Sequence, residues 1–365
     1  MKILIINSGS SSVRLAIFNK GAKGLVREGS GHFETDKEAP EDQLRRFINE
    51  HGAMIDAAIH RVVHGGPGLT EPCLITEKVE NEIERLSELA PLHNPVALQW
   101  IRACRVVIGN DIPNIAVFDT AFFASMPEVS RIYALPRELS REHSINRYGF
   151  HGIAHRAMLQ RFKYLRPDIG NNSRVISIQL GSGSSITAIK DGLPIDTSMG
   201  FSPNEGLVMS TRSGDIDSGV ITYLQNRAGL SANEIDKMLN TSSGLLGVSG
   251  LSSDMKTLLG SEEPDARLAV ELYCYRVKKY IGAYIAALGG VDAILFGGGV
   301  GENAPRIRKK IIDNMEWCGL LLDDRANEEA VGKEGRISSA NSKIDVIVVP
   351  VDEAAVMAEE AVGLL

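Results

Sequence analysis

Two arginines occupy positions where a guanidinium could bind an anion. Arg61 stands near the end of the apolar run from Ile55 to Val63, within the string HRVVH, and Arg212 lies in 205-EGLVMSTRSGDID, which has little charge except at its edges. Guanidinium binds carboxylate and phosphate in a fixed two-pronged geometry, so the two residues indicate an anionic substrate. The alternative is that each arginine pairs with a nearby carboxylate, for example Arg212 with Asp215 or Asp217.

Two carboxylates follow predicted strands. Asp119 comes directly after the strand predicted for Asn114 to Phe118, and Glu353 follows the strand predicted for Lys343 to Val351, at the start of a terminal helix. Catalytic side chains of α/β proteins commonly lie at the carboxyl ends of strands. Asp119 could therefore act as a base, hold a metal or serve as a nucleophile. Helix capping is the alternative role for both carboxylates.

Three histidines could donate to a phosphoryl group. His151 and His155 are four residues apart in YGFHGIAH, but neither an HExxH pattern nor a third ligand accompanies them, so a zinc site is not expected. His93, in LAPLHNP, is typical of a residue that forms hydrogen bonds at a helix entry. These histidines are candidate functional residues only if they lie beside the two arginines, where each could donate a hydrogen bond to a phosphoryl group in its neutral or charged form.

Two similar hairpins are predicted to position these side chains. Lys2 to Phe18 (KILIINSGSSSVRLAIF) and Arg174 to Lys190 (RVISIQLGSGSSITAIK) each contain two apolar strands joined by a small polar turn, so the chain is expected to hold two similar domains. The turns at Asn7 to Ser12 and Gly181 to Ser185 could bind phosphate through backbone N–H groups and hydroxyls. A single turn of this kind is more often only a turn, but two copies together with a third glycine loop after a strand favour phosphate binding.

The remaining pattern alternates strands with helices and predicts an α/β fold that binds ligands at strand ends. Asn94 is the expected cap of the helix predicted over residues 94–107, with Pro95 at its first position. A short strand at Ala293 to Phe296 runs into GGGVGEN. The chain has no G-x-x-x-x-G-K-[ST] loop, and 297-GGGVGE lacks the last glycine of G-x-G-x-x-G, so neither a P-loop nor a dinucleotide fold is supported. Helices are predicted over residues 41–51, 77–89, 94–107, 268–288 and 305–315.

Composition limits the class of protein. The chain has 365 residues, more than one hydrophobic core usually fills, and its 44% hydrophobic and 23% charged residues are typical of a folded globular protein. A net charge of −7 argues against general binding to nucleic acid or to an anionic membrane. The sequence shows neither an apolar run of about 18 residues nor a signal layout, so a cytoplasmic location is expected. Four widely spaced cysteines are expected to be reduced thiols.

Nine strings together resemble the acetokinase family, a branch of the sugar kinase/Hsp70/actin superfamily. They are 7-NSGSSS, 60-HRVVHGG, 90-APLHNP, 118-FDTAFF, 148-YGFHGIAH, 180-LGSGSS, 196-DTSMGFSPNEGLVMSTRSGDID, 243-SGLLGVSGLSSDM and 299-GVGEN, in the family's order. The resemblance implies a two-domain actin-like fold, a duplicated ribonuclease H-like α/β fold with an interdomain cleft. We expect one domain at residues 1–120 plus 352–365 and a second, nucleotide-binding domain at 121–351, which is also the expected homodimer contact.

The resemblance implies acetate kinase activity, that is, reversible in-line phosphoryl transfer from ATP to acetate to give acetyl phosphate and ADP. The residues it makes catalytic are Arg61, Asp119, His151 and Arg212. Acetate is already a nucleophile at neutral pH, so Asp119 is expected to order metal and water rather than remove a proton. Asn7 and Glu353 are expected to bind magnesium or manganese.

The same resemblance assigns two further groups of residues. The acyl pocket is expected to comprise Arg61, Val63, Leu92, Phe150 and Pro203. Nucleotide and phosphate contacts are expected from Ser12, Arg14, His93, Gly181, Ser182, Gly183, Gly299, Val300, Gly301 and Asn303. Small residues at 299 and 300 leave room for a base, whereas large ones would favour an inorganic phosphoryl donor.

Three departures from the family pattern affect efficiency and donor preference more than reaction class. The stretch between Asn7 and Arg61 is shorter than is typical, Ser182 replaces the usual asparagine of LGNGSS, and Arg14 replaces a common lysine. A propionate or other short-chain acyl kinase is the nearest alternative, since one methylene changes binding by only ~1–3 kcal/mol in an apolar pocket. A non-catalytic nucleotide-binding protein of the same fold is the alternative from another class.

Overall fold

The computed structural model describes residues 1–9, 12–22, 24–34 and 37–365, which divide into two compact units. Unit 1 comprises Met1–Ala124, Phe150–Ala157 and Asp352–Leu365, and unit 2 comprises Ser125–Gly149 and Met158–Val351. The domain boundaries expected from the sequence differ from these units mainly at residues 150–157, which were expected in the second domain and lie in unit 1. No helix in the described ranges is both long and apolar enough to cross a membrane.

Unit 1 is built on a six-stranded sheet in the order β3-β2-β1-β4-β6-β5. Strands β1, β2 and β3 form an antiparallel meander, β4 and β6 run parallel to β1, and β5 closes the edge antiparallel to β6. The predicted first hairpin is confirmed, with Lys2 opposite Asn19 and Ser8 opposite Val13. The strands are β1 (Lys2–Ser8), β2 (Ser12–Gly21), β3 (Gly24–Glu34), β4 (Ala57–Val62), β5 (Cys73–Leu74) and β6 (Asn114–Phe118).

Helices pack on this sheet, which explains why β1 is apolar almost throughout rather than alternating. Leu44, Phe47 and Trp100 join the core over β1 and β2, while α15 packs on β1, β4 and β6. The helices are α1 (Pro40–Glu50), α2 (Glu77–Arg85), α3 (Asn94–Ile108), a 3₁₀ turn (Asp119–Phe123), α15 (Glu353–Ala361) and the first residues of α6 (Gly152–Leu165).

Unit 2 contains a second six-stranded sheet, in the order β11-β12-β10-β7-β8-β9. The predicted second hairpin is also confirmed, with Arg174 opposite Lys190 and Leu180 opposite Ser184. The long helix α11 packs on β7, β8, α9, α10 and α13. The strands are β7 (Arg174–Leu180), β8 (Ser184–Lys190), β9 (Leu193–Thr197), β10 (Ala293–Gly297), β11 (Gly335–Arg336) and β12 (Asp345–Val348).

The helices of unit 2 are mostly short, apart from α11. They are α4 (Glu128–Arg131), α5 (Arg137–Glu142), the remainder of α6, α7 (Ser218–Tyr223), α8 (Ala232–Thr241), α9 (Gly244–Ser249), α10 (Met255–Gly260), α11 (Pro264–Leu288), α12 (Gly298–Asn303), α13 (Pro305–Ile312) and α14 (Asp324–Glu329).

The two sheets have the same topology. If the six strands of each unit are numbered along the chain, both sheets have the order 3-2-1-4-6-5. In both sheets the fourth and sixth strands run parallel to the first. The small fifth strand is antiparallel to the sixth in both. This confirms the prediction, made from the repeated hairpins, of two similar domains.

A buried arginine fastens the loop after β10. Arg308, on α13, has no solvent exposure and donates to the carbonyls of Gly301, Glu302, Asn327 and Ala330 and to the Asn327 side chain. Burial lowers its pKa to about 10, so it remains charged at neutral pH. The guanidinium therefore links α12 and α13 to α14 and to the residue that follows α14.

Replacing this arginine should destabilise the protein. Arg308→Met would leave buried carbonyls without donors, and we expect the free energy of unfolding to fall by roughly 3 kcal/mol or more. Urea unfolding followed by circular dichroism measures the change. Arg325→Met is the matched control, because Arg325 pairs with Glu329 at the surface and is 87% exposed. Equal stability of the two variants would contradict the assigned role.

Candidate active site

Arg61 lies at the carboxyl end of β4, held by its neighbours in unit 1. Its Nε and Nη2 donate to Asp119 Oδ2 at 3.1 and 2.6 Å, and its Nη1 donates to Asn7 Oδ1 at 3.1 Å. A guanidinium has five N–H donors, so these bonds leave two for an anion, counting partners within the described residues. The side chain is 13% exposed, which keeps it accessible at the sheet edge.

Asp119 follows β6, the strand paired in parallel with β4, so the sheet places the two residues side by side. The carboxylate is fully buried, and burial raises its pKa although Arg61 acts in the opposite direction. Its Oδ1 makes no hydrogen bond of normal geometry within the described chain, although the Ile153 N–H lies near enough to favour the charged form. The capping alternative does not apply to Asp119, since no side chain caps the 3₁₀ turn.

Asn7 and Glu353 complete this cluster. Asn7 ends β1, next to β4, and its Nδ2 donates to Glu353 Oε2 at 2.6 Å. Glu353 Oε2 lies 4.0 Å from Arg61 Nη1. Asp352, rather than Glu353, caps α15 by accepting from the Ala355 N–H. Glu353 is therefore not the cap but lies in the first turn of α15, the other structural role considered for it, and its carboxylate accepts a hydrogen bond from Asn7.

The oxygen atoms of this cluster fit a divalent cation of the magnesium type. Mg²⁺ usually takes one or two protein carboxylates together with waters and phosphate oxygens. Asp119 and Glu353 supply the carboxylates, Asn7 an amide oxygen, and Asp119 Oδ1 is a buried oxygen without a normal hydrogen bond. In the described ranges no group of three or more His, Cys, Asp or Glu residues could hold a metal unaided.

The histidines differ in environment. His155 is fully buried, and burial lowers its pKa to about 3. His60 is buried too, with its Nε2 2.8 Å from Asn114 Oδ1 and its pKa lowered to about 4 by burial. Both are therefore neutral core residues. His151 is half-buried and has a left-handed backbone with a φ of 58°, an unusual conformation for a non-glycine residue.

The turn at His151 is packed directly against the Asp119 turn. A Cβ on Gly152 would overlap the Asp119 carbonyl oxygen and would lie 2.7 Å from Phe122 Cβ, so only glycine allows this approach. Strained non-glycine residues of this kind tend to occur at functional sites. The packing keeps His151 next to the turn that carries the buried carboxylate.

Hydrogen bonds and ring packing join the segments expected to line an acyl pocket. The His64 N–H donates to Asn94 Oδ1 at 3.1 Å, and Asn94 Nδ2 donates back to the His64 carbonyl. The His64 ring packs edge-on against Phe150, with centroids 5.4 Å apart. Val63 and Phe150 are buried, whereas Leu92 is 40% exposed. The prediction that Asn94 caps α3 is wrong, because its amide is used to hold His64.

The other residues predicted in unit 1 are more dispersed. Arg14 pairs with Asn7 in the first hairpin and is exposed, while Ser12 is half-buried at the start of β2. His93 is half-buried and precedes α3. Part of the predicted phosphate turn, Ser10 and Ser11, lies outside the described residues.

Unit 2 contains a cavity of about 730 Å³ at the ends of β7 and β10, a size suited to a small ligand. Five residues predicted to contact nucleotide or phosphate line it: Gly181, Ser182, Gly299, Val300 and Asn303. Gly183 accepts a hydrogen bond from the Gly181 N–H, and Gly301 is buried under Arg308. These two residues therefore support the walls of the cavity.

Sequence reasoning missed several residues that line the same cavity. Lys256 and Arg306 bring positive charge to it, Asp254 and Glu328 bring negative charge, and Tyr273, Leu245 and Leu259 bring apolar surface. The family string 243-SGLLGVSGLSSDM ends one residue before Lys256, so the motif that could have identified this lysine lies directly next to it. Neither Arg306 nor Glu328 belongs to one of the family strings, and both reach the cavity through the fold.

Arg212 and Pro203 share an irregular loop of unit 2. Arg212 Nη1 donates to the Pro203 carbonyl at 3.2 Å, and burial lowers the pKa of the guanidinium. The carboxylates considered as its partners have other contacts. Asp215 accepts from the Gly206 N–H and from Tyr280 Oη, and Asp217 caps α7.

A duplicated sheet of this topology, with charged side chains at the strand ends of one unit and a glycine-lined cavity at those of the other, defines the sugar kinase/Hsp70/actin class of fold. Within that class, a model described as "Acetokinase family" matches residues 30–359, and the chain belongs to this family.

Named relatives cover nearly the whole chain. It is 45% identical to the acetate kinase of Solibacter usitatus and 42% identical to that of Chloroherpeton thalassium, each covering 99% of this chain and 98% of the relative. The crystal structure of Porphyromonas gingivalis acetate kinase has a TM-score of 0.88 at 38% identity, covering 100% of this chain and 99% of that one. A propionate kinase from Francisella tularensis has a TM-score of 0.89 at 36% identity, covering 98% of both chains.

The raised pKa of Asp119 predicts a pH dependence of stability. A group whose pKa is higher in the folded state stabilises the fold below its unfolded pKa and loses that contribution as the pH rises through the folded value. The difference in unfolding free energy between the parent chain and Asp119→Asn should therefore fall as the pH rises from about 4 to 7. Urea titrations at several pH values measure it.

A suitable control is Asp292→Asn, because Arg174 lowers the pKa of Asp292. Its contribution should be constant above pH about 4 and be lost only at lower pH. If the Asp119 difference instead grew with pH, Arg61 would outweigh burial, and the stated direction would be wrong.

Proposed function

We propose that this protein catalyses reversible phosphoryl transfer from ATP to acetate, giving acetyl phosphate and ADP. The observation that supports it best is the pairing of Arg61 with Asp119 at neighbouring strand ends, beside Asn7 and Glu353. A fixed guanidinium with donors left for an anion suits a carboxylate or a transferring phosphoryl group. Membership of the acetokinase family points to the same reaction.

The reaction needs no proton transfer. A carboxylate oxygen of acetate attacks the γ-phosphorus, the bond from that phosphorus to the bridging oxygen breaks, and ADP leaves with the electron pair. Catalysis then depends on positioning and on stabilising charge on the equatorial oxygens. Arg61 and Arg212 would supply that charge, and His151 a further donor. Asp119 would orient Arg61 and order water rather than act as a base.

The cluster of unit 1 would also hold magnesium or manganese. Asn7, Glu353 and Asp119 are the residues that fit it, by donor type and by the buried oxygen that Asp119 presents. When bound with ATP, the cation neutralises charge on the β- and γ-phosphates.

The cavity of unit 2 is the proposed nucleotide site. Its apolar residues, among them Val300 and Leu259, suit a purine, while Lys256 and Arg306 suit phosphate oxygens. A Cβ on Gly299 would meet nothing within 4 Å, so the cavity is open at this position. Ser12, Arg14 and His93 are proposed as phosphate contacts, as the family resemblance implies.

Propionate is the second candidate acceptor, because a propionate kinase structure is similar over nearly the whole chain. Val63, Leu92, Phe150 and Pro203 are the proposed acyl-pocket residues. Hydroxamate assays with acetate, propionate and butyrate, and with ATP, GTP and pyrophosphate as donors, test the proposal. Highest kcat/KM with acetate and ATP is expected. No transfer to any of these acids would overturn the proposed function.

We propose a cytoplasmic homodimer as the working form. The described cysteines are all free, as expected in a reducing compartment. On α11, Leu268 and Tyr275 are exposed and lie two helical turns apart, with the half-buried Leu272 between them. An apolar stripe of this kind is typical of a surface that binds a partner.

The two site arginines should differ in their effect on stability. Arg212→Ala should lower kcat by ~10²-fold or more with little loss of stability, because charge stabilisation is removed in the transition state. Arg61→Ala should lower kcat similarly and also destabilise the fold, since Asp119 would be buried without its partner. Steady-state kinetics and urea unfolding separate the effects.

The control for both is Arg174→Ala, which removes a partly exposed ion pair with Asp292 elsewhere in unit 2. It should retain the kcat of the parent chain. If Arg212→Ala or Arg61→Ala kept a kcat near that of the parent chain, the substituted arginine would have no role in catalysis.

Filling the cavity of unit 2 should weaken nucleotide binding selectively. Gly299→Leu places a side chain in open space, so the fold should be retained, while calorimetry should show ADP binding roughly tenfold weaker or more. Gly260→Leu is the matched control, since its Cβ also meets nothing within 4 Å and Gly260 does not line the cavity. Parental ADP affinity in Gly299→Leu would place the nucleotide elsewhere.

A further inference from the structure

Residues 198–217 of unit 2 form an irregular loop that carries both Pro203 and Arg212. The loop closes on itself, because Asp215 and Gly206 exchange hydrogen bonds of 2.9 and 3.0 Å. Backbone hydrogen bonds hold the part of the loop next to Arg212, for example from the Ser213 N–H to the Leu239 carbonyl and from the Ser243 N–H to the Thr211 carbonyl. The Arg212 side chain extends from there to the Pro203 carbonyl, so its direction also depends on what holds the first half of the loop.

Glu205, two residues after Pro203, attaches the first half of this loop to other segments of unit 2 through its side chain. One carboxylate oxygen accepts from Arg147 Nη2 at 2.6 Å, and the other accepts from the Tyr133 hydroxyl. Arg147 also donates to the carbonyls of Thr197 and Ser198, where β9 ends and the loop begins. Its guanidinium lies over the Tyr133 ring, 5.5 Å from the centroid.

The packing around Glu205 leaves no space for an alternative arrangement. A Cβ on Gly200 would overlap both the Glu205 carboxylate and the Tyr133 hydroxyl. Tyr133 Oη accepts from the Phe201 N–H at 2.8 Å, and the Gly200 carbonyl accepts from the Tyr148 N–H at 3.0 Å. Three separate chain segments therefore meet at Gly200 and Glu205.

This ion pair is shielded from solvent, with side-chain exposures of 18% for Arg147 and 29% for Glu205. The neighbouring carboxylate raises the pKa of Arg147, and burial and Glu205 raise that of Tyr133, so at neutral pH the arginine is charged and the tyrosine is a hydrogen-bond donor. Both Glu205 oxygens are occupied. The residue is thus suited to holding the loop rather than to binding a ligand.

We propose that Glu205, held by Arg147 and Tyr133, is a positioning residue for phosphoryl transfer, acting through Arg212. It fixes the loop two residues from Pro203, whose carbonyl accepts from Arg212 Nη1. The inference rests on the proposed function. A displacement of about 1 Å at a positioned group can cost ~10²-fold in rate, so loosening this attachment should reduce turnover.

Two variants of graded severity test it. Glu205→Gln removes the charge that pairs with Arg147, and Tyr133→Phe removes only one hydroxyl and is the milder change. In both, kcat for acetate should fall roughly tenfold or more, and amide hydrogen exchange of residues 200–206 should be faster. ADP affinity should change much less than kcat, because Ser210, which lines the cavity of unit 2, is held by the Ser182 carbonyl rather than by Glu205. Arg137→Gln is the matched control, because Arg137 forms an exposed pair with Glu128 in the same part of the chain.

A double-variant cycle separates positioning from a general structural role. In an Arg212→Ala background, Glu205→Gln should cause little further loss of kcat, because the residue through which it acts is gone. If the two losses multiply, or if the single variants keep parental kcat or parental exchange, the positioning role is overturned. A parent chain that transfers no phosphoryl group to any carboxylate would instead overturn the proposed function, and the positioning role with it.

Discussion

The contact between Arg61 and Asp119 places two charged groups side by side inside unit 1. Two charged groups are brought together at the ends of parallel strands, where one is fully buried and the other is 13% exposed. Burying charges is unfavourable unless they are paired and hydrogen-bonded, so the surrounding elements must hold both groups in register. β1 contributes Asn7, α15 contributes Glu353, and Gly152 lets the next turn approach the Asp119 backbone.

The duplication shows how one topology supports two kinds of site. In unit 1 the strand ends carry arginine, aspartate and asparagine, whereas in unit 2 the corresponding turns carry glycine and serine around a cavity. The first arrangement provides charge at fixed positions. The second provides space and backbone N–H groups, with charge brought in by Lys256 and Arg306. The same sheet topology thus holds charged side chains at fixed positions in one unit and borders an open cavity in the other.

Local signals made much of this predictable. Alternating strands around small turns predicted both hairpins. The order of the motifs predicted the family, whose model matches residues 30–359. Contacts between distant segments left no such signal. Asn94 has the sequence context of a cap, yet its amide bonds His64, and Asp215, a plausible partner for Arg212, bonds Gly206 and Tyr280 instead. Which carboxylate an arginine meets is decided by the fold, because many satisfy the local pattern equally well.

Unit 1 is assembled from three stretches of chain, the last of them at the extreme C-terminus. Asn7 and Glu353 are separated by 346 positions, so their hydrogen bond has one of the longest possible loop closures in this chain. On a ribosome, β1 is synthesised before any segment of unit 2, whereas α15 is synthesised after all of them. A nascent or C-terminally shortened chain would hold Arg61 and Asp119 without the helix that covers their sheet. The charged cluster can therefore form only after all of unit 2 has been translated, and a chain that stops before Asp352 lacks Glu353.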